Sequence, residues 1–121
     1  MDTKKLIGRQ GESAAAEYLR KKRYRIIAMN YACRFGEIDL IAENRDYVVF
    51  VEVKSRKSAN FAEAREFVTE AKQRRLAATA ELWLMQHPTE KQPRFDVIEI
   101  YCADGRVHLI NHIENAFEVA L

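Results

Sequence analysis

Asp39 and the run Glu52-Val53-Lys54 are the residues whose types and spacing could do chemistry. Side chains alternate along a strand, so Glu52 and Lys54 leave the same face of the valine-rich segment from Asp46 to Ser55. The segment from Gly36 to Glu43 reads as a strand of its own, and the polar residues between Ala42 and Tyr47 join the two as a hairpin. With the turn placed there, Asp39 is expected opposite Phe50 and diagonal to Glu52 on one face, roughly 7–8 Å away. Glu12 falls on one helical stripe with Ala15, Ala16 and Leu19, which aims it at the same region. Three carboxylates and a lysine would then converge. Unpaired like charges cost several kcal/mol each when buried, so such a cluster persists where a cation or substrate compensates it. Oxygen-only donors favour a hard ion, Mg²⁺ or Mn²⁺, over zinc. A Glu52–Lys54 salt bridge beside a solvated Asp39 is the plainer alternative.

The elements that must position these groups alternate in type. A helix is expected from about Leu6 to Lys22, then strands from Tyr24 to Tyr31, Gly36 to Glu43 and Asp46 to Ser55. A long helix from about Glu63 to Gln86 follows, with Val68, Ala71, Arg75, Ala78, Leu82 and Met85 on one face, Leu76, Ala80, Trp83 and Leu84 widening it, and His87-Pro88 as its stop. Strands from Arg94 to Cys102 and Val107 to Asn111 close the chain, joined at Asp104-Gly105. Val48, Val49, Val51 and Val53 with Phe50 make both faces of the third strand apolar, which predicts a central, doubly covered strand. A strand–helix–strand passage implies a parallel neighbour, so the expectation is a single α/β domain over residues 1–121, with a central mixed sheet flanked by helices. Gly8 and Gly11, near the start of the first helix, suit either close backbone approach to a nucleic acid or a frayed first turn. Tyr18, Phe67 and Trp83 are expected in the core, and Arg94 with Asp96 as a structural pair.

Composition narrows the class. With 121 residues, 48% hydrophobic and 31% charged, and with only 2 Pro and 4 Gly, the chain is globular rather than fibrous or disordered. No apolar run approaches the ~18–20 residues of a membrane helix. MDTKKLIGRQGE has no apolar stretch to make a secretory signal, so a cytoplasmic address is expected. Cys33 and Cys102 stand far apart and read as reduced thiols. His108 and His112 sit in a strand-like run where four residues span ~13 Å, which argues against a zinc site. The net charge is +2, but residues 1–25 are predominantly basic and residues 95–121 predominantly acidic, which leaves room for a surface that faces a polyanion.

Six blocks in order carry a resemblance: GRQGESAAAEYL (8–19), Asn30, GEIDLIA (36–42), FVEVKSR (50–56), Lys72 and RFDV (94–97). Asp39 with Glu52-Val53-Lys54 is similar to the D…ExK core of the PD-(D/E)XK nuclease superfamily, the restriction-endonuclease-like fold. The whole series resembles the YraN-like family of small bacterial proteins, related in fold to archaeal Holliday-junction resolvases. Ile38 stands where the superfamily often has proline, and Ala32 and Ala62 where the family usually has arginine and glycine. The resemblance implies Asp39, Glu52 and the Val53 carbonyl as ligands of Mg²⁺ or Mn²⁺. Lys54 would orient or help deprotonate the attacking water and stabilise the phosphate, and Glu12 would complete the acidic cluster. Arg34, Arg56, Lys57 and Lys72 are the candidate phosphate contacts.

The expected function is a Mg²⁺-dependent endonuclease on nucleic acid, DNA before RNA, with branched or damaged structures among its substrates. A homodimer presenting two sites is expected by analogy with the resolvases. A nucleic-acid-binding module that keeps the fold without cleaving is the alternative. A scaffold with a structural metal site is a third, which would have no need of Lys54 beside the ligands.

Overall fold

The computed structural model describes residues 3–56 and 68–119. Within them the chain forms α1 (Thr3–Lys21), β1 (Arg25–Cys33), β2 (Gly36–Glu43), β3 (Tyr47–Arg56), α2 (Glu70–Gln86), β4 (Gln92–Ala103) and β5 (Arg106–Ile113). The strands lie in one sheet in chain order, β1-β2-β3-β4-β5. β3 and β4 run parallel and every other neighbouring pair antiparallel. Antiparallel neighbours need only a turn, whereas the parallel pair needs a crossover, and α2 lies within that connection. The result is a small α/β domain with a mixed sheet, as expected. None of the described helices is long and apolar enough to cross a membrane.

β3 is central because its sequence requires cover on both faces. Val48, Val49, Phe50 and Val51 are each at most 2% exposed. On one face α1 packs Ala15, Ala16 and Leu19 with Leu40, Val49, Val51, Ile98 and Ile100. On the other α2 packs Leu76, Ala80 and Trp83 with Ile41, Phe50, Phe95 and Val97. Trp83 meets Phe50 edge-on, with ring centroids 5.8 Å apart. Trp83 thus joins the core and Tyr18 packs at its margin, whereas Phe67 lies outside the described residues.

Two expectations are corrected. The β2–β3 hairpin pairs Ile41 with Phe50 and Leu40 with Val51, so Asp39 is not opposite Phe50. The register moves by two because Asn44 takes over the turn: its side-chain oxygen accepts from the N–H groups of Asp46 and Tyr47, and its own N–H reaches the Tyr47 carbonyl at 3.0 Å. That Asx geometry supplies the turn without glycine and lets Glu43 pair with Val48. The second correction concerns α2, which begins at Glu70. Thr69 is its N-cap, accepting from the Lys72 N–H, and Val68 precedes the cap while still burying its side chain. Residues 63–67 of the expected helix lie outside the described residues.

Gly11 is neither frayed nor open to a ligand. It is buried inside α1, where a Cβ would come within 2.1 Å of Ser55 Oγ and 3.4 Å of Ser55 Cβ. The missing side chain lets α1 lie close against the end of β3.

Beneath α1, Arg94 and Asp96 form the expected pair. Nε and one terminal nitrogen of Arg94 bond the two Asp96 oxygens at 2.9 and 2.8 Å. His112 Nε2 at 2.7 Å and the Asn115 N–H at 3.0 Å donate to the same carboxylate. Burial alone would raise the Asp96 pKa, but these four donors hold it below the ordinary carboxylate range. His108 instead contacts the Ala103 carbonyl, so the two histidines serve different partners.

Two outcomes follow for unfolding measurements. Gly11→Ala should lose about 1 kcal/mol in wild type, from the clash with the Ser55 hydroxyl. In a Ser55→Ala background the same change should gain up to about 1 kcal/mol, the helix-propensity difference; equal effects in both backgrounds would remove the contact from the explanation. Asp96→Ala should cost about 3–5 kcal/mol at neutral pH, because it strands Arg94. A depressed carboxylate contributes in full above its ordinary pKa and loses that contribution on acidification, so the two proteins should converge below about pH 4.

Candidate functional site

The apolar run of β3 ends at Val51, and the next residue on the α2 side of the sheet is Glu52, only 8% exposed. The β2–β3 ladder also ends there, at Leu40 with Val51. One further step brings Asp39 abreast of Glu52. The Val53 N–H bonds Asp39 Oδ2 at 2.8 Å. A side-chain carboxylate has therefore taken a main-chain donor as the strands part, and that bond fixes Asp39 at the rim of the core.

Glu52 is compensated by two lysines. Lys72, in the first turn of α2, places Nζ 2.5 Å from Glu52 Oε1, and Lys54 Nζ is 3.5 Å from the same oxygen. An ammonium in a first turn opposes the helix dipole, so Glu52 stabilises Lys72 where the helix does not. Burial works against the Lys72 charge, but the hydrogen bond and charge of Glu52 outweigh it and raise its pKa above the ordinary lysine value. Among the described residues Asp39 makes no ion pair of its own, and Lys72 reaches it only by longer-range charge. Burial first, then the charge of Glu52, push the Asp39 pKa up to about 7, against the stabilising Val53 N–H; Glu12 and Glu37 push the same way.

Asp39 and Glu52 open on a cleft of about 200 Å³ lined also by Gly36, Glu37, Lys72, Arg75 and Leu76. α2 closes tightly over one end of it: a Cβ on Gly36 would meet Thr79 Oγ1 at 3.3 Å and Arg75 Cβ at 3.7 Å, and its φ of +155° is itself a glycine conformation.

The structure thus brings together Asp39, Glu52, Val53, Lys54 and Lys72. Glu12 belongs to α1, the helix on the opposite face, and reaches the site through its charge on Asp39. Arg34 is exposed at the β1–β2 turn and lies over the Phe35 ring, 4.7 Å from its centroid. Arg56 ends β3, with a buried Nε that has no acceptor among the described residues. Lys57 and Ala62 lie outside those residues.

The sequence reading missed Arg75 and Glu37, which line the cleft. An arginine on the otherwise apolar stripe of α2 was the signal for Arg75. Asn30, one of the six motif blocks, lies between the pairs Met29–Leu40 and Tyr31–Ile38, which places it beside Asp39 with φ at 55°. Such a conformation is uncommon for a residue other than glycine.

No three His, Cys, Asp or Glu among the described residues converge closely enough to enclose a metal ion. The donor set still suits one kind of ion. Mg²⁺ commonly takes one or two carboxylates and completes its shell with water and substrate phosphate, and Asp39 with Glu52 offers that pair.

Residues 11–100 match the uncharacterised protein family UPF0102. The chain is 50% identical over 113 residues to a UPF0102 protein of Symbiobacterium thermophilum, covering 92% of this chain and 95% of that one. It is 44% identical over 117 residues to one from Caldanaerobacter subterraneus (94% and 96% covered) and 47% over 116 to one from Vibrio parahaemolyticus (94% and 93%). The chain belongs to this family, the YraN-like one its motifs resemble.

The raised pKa of Asp39 has a measurable consequence. Its folded-state proton is held to about pH 7, whereas the unfolded chain releases it near pH 4. The folded state therefore binds more protons across that window, and stability should fall as pH rises through it. Asp39→Asn should flatten the slope and stabilise the protein at pH 8 by about 1–2 kcal/mol, discounted for solvent at a half-buried carboxyl. Urea unfolding at pH 5 and pH 8 reads this directly, and an unchanged slope in the variant would assign it to another group.

Proposed function

We propose that this protein is a divalent-cation-dependent nuclease with a restriction-endonuclease-like fold, of the PD-(D/E)XK superfamily, hydrolysing phosphodiester bonds in nucleic acid, DNA before RNA. The observation that carries the reading is the position of Asp39 abreast of Glu52 where the hairpin parts, with Lys54 on the same face and a polar cleft in front. A plain structural salt bridge needs neither the second carboxylate nor the cleft.

Mg²⁺ or Mn²⁺ bound there would supply the positive charge that activates a water and neutralises the developing phosphate charge. Asp39, Glu52 and the main-chain oxygen of Val53 would hold it. The Val53 N–H keeps one Asp39 oxygen fixed, so the pair is oriented before any ligand arrives. Lys54 offers ammonium donors to a phosphate oxygen on the Glu52 side. Lys72 and Arg75, on one wall of the cleft, suit the flanking phosphates, where contacts give affinity without sequence choice.

Cleavage of labelled duplex, flap, four-way-junction and single-stranded DNA, and of RNA, tests the reading with Mg²⁺, Mn²⁺ or chelator. Scission should require the cation and should fall at least about a hundredfold in Asp39→Ala and in Glu52→Ala, with the circular dichroism of the folded protein retained. Cation-dependent binding without scission would favour the non-cleaving module, and neither binding nor scission would remove nucleic acid from the reading.

A further inference from the structure

The polar end of β3 continues onto its parallel neighbour. Glu99 on β4 pairs with Lys54 in the β3–β4 ladder, and Asn111 on β5 pairs with Glu99. Phe50, Phe95 and Val97 lie in the cluster on the α2 side of the sheet. By alternation Glu52, Lys54 and Glu99 share that side.

Glu99 is 2% exposed. Its Oε1 accepts from Asn111 Nδ2 at 2.8 Å and the Tyr101 hydroxyl also faces this carboxylate, while Oε2 is buried with no hydrogen-bond partner among the described residues. A buried carboxylate oxygen without a donor is costly. The nearest ammonium in the ladder, Lys54, is turned instead toward Glu52, whose Oε1 already holds Lys72. One oxygen of Glu52 therefore has two cations while one oxygen of Glu99 lacks a donor.

We propose that Glu99 is a positioning residue, the second acceptor for Lys54, which takes its ammonium when Glu52 turns to a bound divalent cation. This rests on the nuclease reading above. A divalent ion on Glu52 repels both ammonium groups there, and Lys54 then needs a new partner. Adjacent strands lie about 4.8 Å apart, well within the sweep of a four-carbon stem, so rotation of the Lys54 side chain suffices. Glu99 Oε2 gains the donor it lacks, which offsets the loss of the Glu52 contact. Held by Glu99, the amine stays at the edge of the cleft rather than swinging into solvent.

Side-chain NMR during a Mg²⁺ titration tests this without relying on turnover. In wild type, the carboxyl signals of Asp39 and Glu52, the Glu99 carboxyl and the Lys54 Cε–Nζ signals should respond with one apparent affinity. In Glu99→Gln, an isosteric change, the Asp39 and Glu52 responses should persist and that of Lys54 should disappear. Cation-dependent kcat should fall about tenfold with KM unchanged, and Glu99→Asp should recover part of both. An identical Lys54 response in wild type and Glu99→Gln overturns the role of Glu99 and leaves the nuclease reading intact. A Mg²⁺ titration that moves neither Asp39 nor Glu52 overturns the nuclease reading and this inference with it.

Discussion

Two carboxylates held side by side at the edge of a core must be compensated, and the arrangement around Glu52 answers that requirement. In water the repulsion would be slight, but at an effective dielectric near 20 it reaches several kcal/mol at close range. Three devices meet it. Lys72 and Lys54 neutralise Glu52, the Val53 N–H bonds Asp39, and Asp39 retains its proton up to about pH 7. Together they draw on β2, β3 and α2, so the site links the β2–β3 hairpin to α2.

The rigidity behind this comes from the apolar half of β3. Four consecutive residues buried between α1 and α2 fix the strand, and with it the direction of the Glu52 side chain. The close fit of Gly11 on Ser55 brings α1 to the same end of β3, which explains why Glu12 is felt at Asp39 from the opposite layer. The Arg94–Asp96–His112 network ties β4 to β5 beneath α1, on the face away from the cleft.

Residue types carried the face of the sheet but not its register. Alternation alone placed Glu52 and Lys54 together, and a two-residue shift preserves which face Asp39 occupies, so the error left the acidic pair intact. The register itself depended on the Asn44 side chain, whose turn is written in hydrogen-bonding capacity rather than in a glycine. The start of α2 was obscured because Val68 is buried, as helical spacing predicts, while belonging to the segment before the cap. Glu99 was illegible for a different reason. In RFDVIEIYC it reads as the polar member of an alternating strand, and only burial on both sides of β4 reveals that this polar position faces protein.

The polar groups gather at one end of the sheet for a topological reason. β3 and β4 are the parallel pair, so their carboxyl ends lie together, and the chain must leave β3 there to cross over. Ladder donors and acceptors lose their partners as the strands finish, and polar side chains can take their place, as Asp39 does for Val53. In open α/β sheets such ends are where ligands bind. β2 is antiparallel and begins at the same end, which is why Asp39, near its start, meets Glu52, past the middle of β3. A fully antiparallel sheet could juxtapose the same two carboxylates, but it would lack the crossover that sets Lys72 of α2 above Glu52 and the parallel neighbour that sets Glu99 beside Lys54. The single parallel pairing is therefore what turns a hairpin with two acids into a charge-balanced cleft.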